Sequence, residues 1–185
     1  MELGTHNSMT YLKPKKWYMY PFQFIAKCQS KTIKEQYEDY NIRLFDIRIT
    51  YDKDGDSEFR HGSMAYKGDV YEVLNWLNSR GEKVKIRLLL EINKPSIHSE
   101  IFFVYDCERF GELYPNLTFY EGRRKYDWEQ VYKFPTLEVE QPVSSMDGNN
   151  KLNDLWPWLY AKKHNAENRI KYKDSKYVLM DFINE

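Results

Sequence analysis

Four side chains near the start of the chain have the right chemistry to move a phosphoryl group: His6, Asp46, Arg48 and His61. Each imidazole titrates near neutral pH, so one can act as a general base and the other as a general acid. A guanidinium with a carboxylate beside it can hold a phosphate. Together these side chains predict the cleavage of a phosphodiester.

Strands and helices alternate along the chain, which predicts a parallel sheet. The pattern places strands at residues 2–4, 42–50 and 84–92, with helices near 33–40 and 70–80 between them. Thr32 with Glu35, and Asp69 with Glu72, are capping pairs that predict the starts of these two helices. In the second half, residues 117–120 and 137–140 read as further strands. Pro157 either begins or interrupts a helix within residues 152–163, because proline removes a helical hydrogen bond.

The second strand shows which face carries the chemistry. Asp46 and Arg48 are two residues apart and share one face, whereas Phe45, Ile47 and Ile49 share the other. Polar residues gathered at strand ends predict an α/β fold of the TIM-type (β/α) barrel kind, with its site at the C-terminal rim. A full barrel needs at least about 200 residues. We therefore expect a small, trimmed or distorted barrel.

The candidate residues stand in short strings, and the order and spacing of these strings are informative. The strings are Gly4-Thr5-His6-Asn7-Ser8, Arg43-Leu44-Phe45-Asp46-Ile47-Arg48-Ile49 and His61-Gly62, with Gln36 on the helix between the first two. They resemble the X domain of phosphatidylinositol-specific phospholipase C. The resemblance covers residues 3–95, and residues 177–182 look like the closing barrel strand.

The resemblance implies a role for each residue. His6 is expected to take the proton from the 2-hydroxyl of an inositol, so that this oxygen attacks the adjacent phosphorus, and His61 to protonate the departing glycerol oxygen. Arg48 would clamp the phosphate, and Asp46 would orient Arg48 or share in activating the hydroxyl. Asp181 would lie next to the first strand and hold His6 in the correct tautomer. The expected first product is a 1,2-cyclic phosphate.

The resemblance points in two directions about metals. Metal-dependent animal relatives have Asn after the first His and an acid at the end of a later strand, as Asn7 and Glu91 do here. Metal-independent bacterial relatives have an Arg where calcium would lie, as Arg48 does. Because a guanidinium and a divalent cation compete for one volume, we expect no metal or other cofactor. If calcium binds, its ligands would be Asn7, Asp46 and Glu91.

Substrate recognition is expected to draw on Asn7 and Glu91 at the site and on the second half of the chain. Lys94, Arg124 and Tyr126 are candidates there, since they offer hydrogen-bond donors and a ring that could stack on an inositol. The expected substrate is a phospholipid or an inositol phosphodiester.

A basic and aromatic segment follows His6. Lysines at positions 13, 15 and 16 precede aromatic residues that include Trp17 and Phe22, a combination suited to a lipid headgroup layer. These residues predict peripheral membrane contact. The alternative is that the aromatic rings cover the core where a barrel helix is missing.

Size and composition limit the possibilities. A chain of 185 residues predicts a single domain over residues 1–185. Basic and acidic side chains balance at 28 each, so no global field attracts nucleic acid. Cys28 and Cys107 lack disulfide or zinc spacing and are predicted to be thiols. No apolar leader follows Met1, so the chain would be cytoplasmic if Met1 is the native start, and secreted if a leader was removed.

Two other functions remain open at this point. One is a glycerophosphodiesterase acting on a soluble headgroup diester, although such relatives need two acids around a metal on the second strand. The other is a non-catalytic module that binds a phosphorylated polyol. The presence of both histidines, His6 and His61, favours the phospholipase C type of phosphodiesterase over either alternative.

Overall fold

A computed structural model describes residues 1–92, 96–122, 134–143 and 156–185. The strands are β1 Glu2–Thr5, β2 Leu44–Tyr51, β3 Ser57–His61, β4 Met64–Ala65, β5 Val84–Leu90, β6 Leu117–Glu121 and β7 Tyr177–Met180. The α-helices are α1 Gln23–Ala26, α2 Ile33–Glu38, α3 Val70–Asn78, α4 Ile97–Leu113 and α5 Pro157–Lys171, with a 3₁₀ helix at Trp17–Phe22.

Five parallel strands form the body of the sheet, in the order β7, β1, β2, β5, β6. The longest ladder joins β2 to β5 and sets Asp46 opposite Arg87. The C-terminal end of β2 extends past β1 and pairs instead with β3 in an antiparallel ladder, and β4 pairs with β3. The β3–β4 hairpin therefore lies beside the C-terminal end of β2, beyond the last residue of β1.

The sheet of named strands does not close into a barrel. Between β6 and β7, the segment 134–143 makes two single parallel bridges, Thr136 with Glu121 and Glu140 with Val178. Pro135 contributes only its carbonyl, which accepts from the Glu121 amide, because proline has no N–H for a continuous ladder. The α/β class and the parallel order are as predicted, whereas closure of the barrel is not established.

The two faces of β2 behave as the alternation predicts. Phe45, Ile47 and Ile49 are fully buried in the main core, against residues of α3 and α4. Asp46 and Arg48 lie on the opposite face, together with Arg87 of β5. A strand with one apolar and one charged face thus separates the core from the candidate site.

The helix starts also agree with the sequence. Thr32 and Glu35 form the capping box of α2, and Asp69 accepts two backbone N–H groups at the start of α3. Pro157 occupies the first turn of α5, where its missing N–H has no helical partner to lose, so it begins that helix. Cys28 and Cys107 are buried thiols without a disulfide. Within the described ranges, no helix has both the length and the apolar composition needed to cross a membrane.

Gly4 lies where β1, β2 and β7 come closest, and this contact predicts an effect on stability. A Cβ on Gly4 would lie 2.7 Å from the backbone oxygen of Leu44 and equally close to the Leu179 side chain. Gly4→Ala should therefore lower the free energy of unfolding by about 1–3 kcal/mol through overpacking. Urea denaturation measures this change.

Gly111→Ala in α4 is the matched control. The nearest atom to a Cβ there is a Phe134 ring carbon at 3.6 Å, an ordinary contact. Alanine should leave stability unchanged or raise it, because alanine is the better helix former. Equal stability of the Gly4→Ala variant and the unmodified protein would contradict the close approach of the three strands.

Candidate active site

The site begins where β1 and β7 end side by side. His6 and Asp181 are the first residues after the last paired positions of these parallel strands. Asn7 and Phe182 then adopt left-handed backbone conformations, with φ of 46° and 43°. Both strands therefore turn away directly after presenting a polar side chain, which leaves His6 and Asp181 in contact.

His6 is held in one tautomer. Its Nδ1 lies 2.7 Å from Oδ1 of Asp181, and both side chains are buried. A carboxylate can only accept, so Nδ1 carries the hydrogen and Nε2 carries the lone pair. That lone pair accepts from Nη2 of Arg48 at 2.7 Å, and the Asn7 amide lies 3.2 Å away. This is the tautomer of a general base.

Arg48 connects the base to two acids. Its Nε donates to Oδ2 of Asp46 at 3.0 Å, and its Nη1 donates to Oε2 of Glu91 at 3.2 Å. Burial alone would lower the pKa of Arg48, but the charges of Asp46 and Glu91 outweigh burial and raise it above its ordinary value. The guanidinium stays charged at the centre of the site.

Asp46 is a fully buried carboxylate with every near neighbour donating to it. Arg87 Nη1 contacts Oδ1 at 2.6 Å, while Arg48 and the backbone N–H of Asn7 contact Oδ2. Burial acts to raise the pKa of Asp46, yet the charges of Arg48 and Arg87 hold it well below its usual range. The side chain therefore remains an anion and serves as an anchor for cations.

His61 approaches from the β3–β4 hairpin. Gly62, with φ of 55°, makes the turn between β3 and β4, and its N–H donates to Glu91. His61 Nδ1 lies 2.8 Å from the carbonyl oxygen of Ala26 and donates to it, which leaves Nε2 for another partner. The His6 and His61 rings are 6.2 Å apart between centroids, edge to face.

The pKa of His61 is lowered to about 4. Burial is the main cause, and the nearby charge of Arg48 acts in the same direction. His61 is therefore neutral at neutral pH in the free protein, and an anion bound beside it would favour its protonated form.

The sequence did not predict the polar contacts of Thr10, Cys28 and Gln29, which lie behind the two histidines. Gln29, fully buried, donates to the backbone oxygens of His6 and Met180 and so joins the ends of β1 and β7. Thr10 Oγ1 accepts the backbone N–H groups of Cys28 and Gln29. These polar contacts are long-range in sequence, and no local pattern indicates them.

Sequence analysis also did not predict Arg87 as a site residue, although the sequence contains a feature that indicates it. It is the one charged residue inside the otherwise apolar stretch 86–90, and a charge in a buried strand needs a buried partner. Its position opposite Asp46 in the β2–β5 ladder supplies that partner. The register between two strands decides this pairing, and one strand alone does not show it.

The other sequence candidates are placed as follows. Arg48 lies between the carboxylates of Asp46 and Glu91 and bonds to both, so a calcium ion held by Asn7, Asp46 and Glu91 would have to displace its guanidinium. Lys94, Arg124 and Tyr126 lie outside the described residues. Trp17 and Phe22 are 78% and 54% exposed, so these rings do not cover the core.

Comparisons with known proteins identify the fold. No family model matches the chain, and no curated protein matches it in sequence. Phosphatidylinositol-specific phospholipase C from Listeria monocytogenes matches in structure with a TM-score of 0.65 and 14% identity, over 98% of this chain and 87% of that chain.

The corresponding enzyme from Staphylococcus aureus gives a similar result. A form with incorporated pentafluoro-Phe has a TM-score of 0.66 and 14% identity, over 98% of this chain and 85% of that chain. A structure of the same enzyme from work on the modulation of its membrane binding has a TM-score of 0.64, 13% identity and the same coverage. The resemblance seen in the sequence is thus confirmed at the level of the fold.

Protonation of His61 should destabilise the protein in mildly acidic solution. Its pKa is about 4 when folded and 6.5 when exposed, so the unfolded chain binds the proton first as the pH falls. The stability contributed by neutral His61 is complete above pH 6.5 and is lost progressively down to about pH 4. Between about pH 7 and pH 5, the unmodified protein should lose on the order of 2 kcal/mol more unfolding free energy than His61→Gln.

Urea denaturation of both proteins at several pH values tests this. Taking the difference between them removes the contribution of all other titrating groups. Parallel curves for the two proteins would show that the imidazole is not desolvated in the folded state.

Proposed function

We propose that this protein cleaves phosphatidylinositol or a related inositol phosphodiester by general acid–base catalysis, through a 1,2-cyclic phosphate. One observation carries the proposal: His6, oriented by Asp181, faces His61 at 6.2 Å with Arg48 beside it, at the strand ends of a fold shared with bacterial phosphatidylinositol-specific phospholipases C.

His6 is the proposed base. Its Nε2 lone pair accepts from Arg48 in the free protein, and the substrate hydroxyl next to the phosphate would take the place of that donor. The hydroxyl proton passes to Nε2 while its oxygen attacks the phosphorus. Asp181, through its bond to Nδ1, stabilises the imidazolium that forms.

His61 is the proposed acid. The bond from Nδ1–H to the Ala26 carbonyl fixes the ring and leaves Nε2 to donate to the leaving glycerol oxygen. Because the pKa of His61 is about 4 in the free protein, the proton must be favoured by the negative charge of the bound phosphodiester. Binding of the substrate and protonation of the acid are then coupled.

Arg48 is the proposed phosphate clamp. Its planar group can bind two phosphate oxygens at once, and its charge lies between the positions assigned to base and acid. Asp46 and Glu91 hold the guanidinium from the other side. Moving Nη2 from His6 to the phosphate would free the base at the moment when the substrate arrives.

The same contacts argue against the two alternatives. A glycerophosphodiesterase of the metal-dependent type needs a second acid on β2, and Arg48 occupies that position and bonds to Asp46. A simple binding module has no use for a buried carboxylate that orients a histidine as a base. We also propose that the reaction needs no resident metal, since Arg48 lies between the candidate calcium ligands.

Phosphorus NMR on the purified protein tests the function. With phosphatidylinositol or glycerophosphoinositol as substrate, a cyclic phosphate should appear first, and a metal chelator should not reduce its rate of formation. Formation of a noncyclic phosphate as the first product would exclude the intramolecular attack. Loss of activity with chelator and recovery with calcium would exclude the metal-free site.

Removing either histidine should stop the reaction without unfolding the protein. His6→Ala and His61→Ala should each reduce the turnover number by about 100-fold or more, as expected for loss of a general base or acid. The initial rate of cyclic phosphate formation measures this. His98→Ala is the matched control, because His98 lies on α4, where it contacts the Asp52 carbonyl and the Phe102 ring and none of the proposed site residues. Unchanged turnover in a folded His6 or His61 variant would remove that residue from the mechanism.

The exposed aromatic residues support a role at a lipid surface. Trp17, Tyr18, Phe22 and Phe24 are each at least half exposed, and Phe24 contacts the ring of Trp156, with centroids 6.0 Å apart. We define these five residues as the aromatic patch. Large exposed apolar surfaces are uncommon unless they bind something, and lysines precede this one in sequence. We propose that the patch contacts the membrane that holds the substrate.

Trp17→Ala combined with Phe22→Ala should separate surface binding from chemistry. Activity on phosphatidylinositol vesicles should fall by about tenfold or more, since interfacial rings contribute to membrane binding, while activity on a soluble inositol phosphodiester stays unchanged. The control is Ile101→Ala, an exposed apolar residue on α4 outside the patch. Equal losses on both substrates would contradict a membrane role.

A further inference from the structure

A thiol that the proposed reaction does not use lies directly behind the two histidines. Cys28 is 1% exposed, and its sulfur lies 3.8 Å from Nδ1 of His61 and 3.7 Å from the Asn7 amide nitrogen. Burial and the nearby Asp181 carboxylate raise the pKa of this thiol well above its ordinary value. Cys28 is therefore a neutral thiol in the free protein and a poor nucleophile.

Cys28 shares a small volume with two other metal-binding groups. Ligand atoms of His6, Cys28 and Asp181 all lie within 4.8 Å of one another. In a tetrahedral zinc site the bonds are about 2.0–2.3 Å long, so side-chain shifts on the order of 1 Å would bring these atoms into coordination. Imidazole nitrogen, thiolate sulfur and carboxylate oxygen are each donor types that zinc accepts.

A second feature of the cluster points to a ligand. Among the described residues, no nitrogen or oxygen donates to the buried Oδ2 of Asp181, and the Cys28 thiol is the hydrogen-bonding neighbour of this carboxylate, although buried carboxylate oxygens are ordinarily paired more fully. The same carboxylate orients His6 through its other oxygen. A cation bound between Asp181 and Cys28 would satisfy this oxygen.

Charge and access are both compatible with a divalent ion. One carboxylate and one thiolate neutralise Zn²⁺, with the thiol proton released to solvent. The positive charge of Arg48 is already compensated by Asp46 and Glu91. His61 is only partly buried, and its Nδ1 lies 3.8 Å from the sulfur, so the buried cluster adjoins a side chain that reaches solvent.

We propose that His6, Cys28 and Asp181 form an inhibitory site for a thiophilic divalent cation such as Zn²⁺. The metal would take the base His6 away from the reaction and break its contact with Asp181. The inhibition rests on the proposed function, whereas the binding does not. The site would turn the active centre off reversibly, and a chelator would restore it.

Cobalt binding tests the site without reference to activity. Co²⁺ added to the unmodified protein should produce the near-ultraviolet charge-transfer band of a cobalt–thiolate bond, and Zn²⁺ should displace it at one equivalent. Cys28→Ala and Cys28→Ser should each abolish the band. Cys107→Ala should keep it, because Cys107 is buried in the main core away from this cluster. Absence of the band in the unmodified protein, or its loss only in Cys107→Ala, would overturn the site.

Activity measurements then test the inhibition. Zn²⁺ should reduce cyclic phosphate formation at least about tenfold and chelator should reverse this, while Cys28→Ala should need at least about tenfold more Zn²⁺ for the same fractional inhibition. Equal sensitivity of Cys28→Ala and the unmodified protein would overturn inhibition through this site. If the cobalt band forms but no inositol phosphodiester is cleaved, the proposed function fails and the metal site stands.

Discussion

The buried carboxylate of Asp46 organises the site, because an anion without solvent must be matched by donors from several directions. Arg87 from β5, Arg48 from β2 and the backbone N–H of Asn7 after β1 all donate to it. Leaving such a charge unpaired would cost several kcal/mol. These contacts therefore tie three neighbouring strands to one point, and the position of His6 follows from that of Asn7.

Arg48 connects the buried carboxylate of Asp46 to the side chain of His6. One guanidinium contacts Asp46, Glu91 and the base nitrogen of His6 at the same time. In the proposed reaction, an incoming phosphate would compete with these partners, and the donor that it would withdraw from His6 is the one that masks the proposed base. The proposed clamp and the proposed base would thus be coupled through a single side chain. Glu91 extends the network to the hairpin of His61 by accepting from Gly62.

The connection from β1 to α2 is mostly irregular, yet it contributes several groups to the candidate site. Only a 3₁₀ helix and the single-turn α1 lie between them in regular structure. The segment nevertheless supplies the Ala26 carbonyl that orients His61, the thiol of Cys28 and the Gln29 amide that joins two strand ends. The exposed rings of Trp17 and Phe22 in this segment remain outside the core. A regular helix would bury one face and could not serve the site and the surface in this way.

The sequence by itself determined the features that depend on neighbours along the chain. Alternation in β2 separated Asp46 and Arg48 from the apolar face, capping residues located α2 and α3, and the strings around His6 and His61 identified both histidines. The remaining features of the site depend on strand register and on long-range contacts, so only the tertiary structure decided them. The pairing of Arg87 with Asp46 requires the β2–β5 register, and the contact of His6 with Asp181 requires β1 to lie beside β7. The position of Cys28 behind both histidine rings requires the complete path of the connection between β1 and α2. Whether the sheet closes into a barrel also depends on the tertiary structure. The apolar pattern alone does not distinguish a strand from the single bridges that the proline-containing segment 134–143 makes.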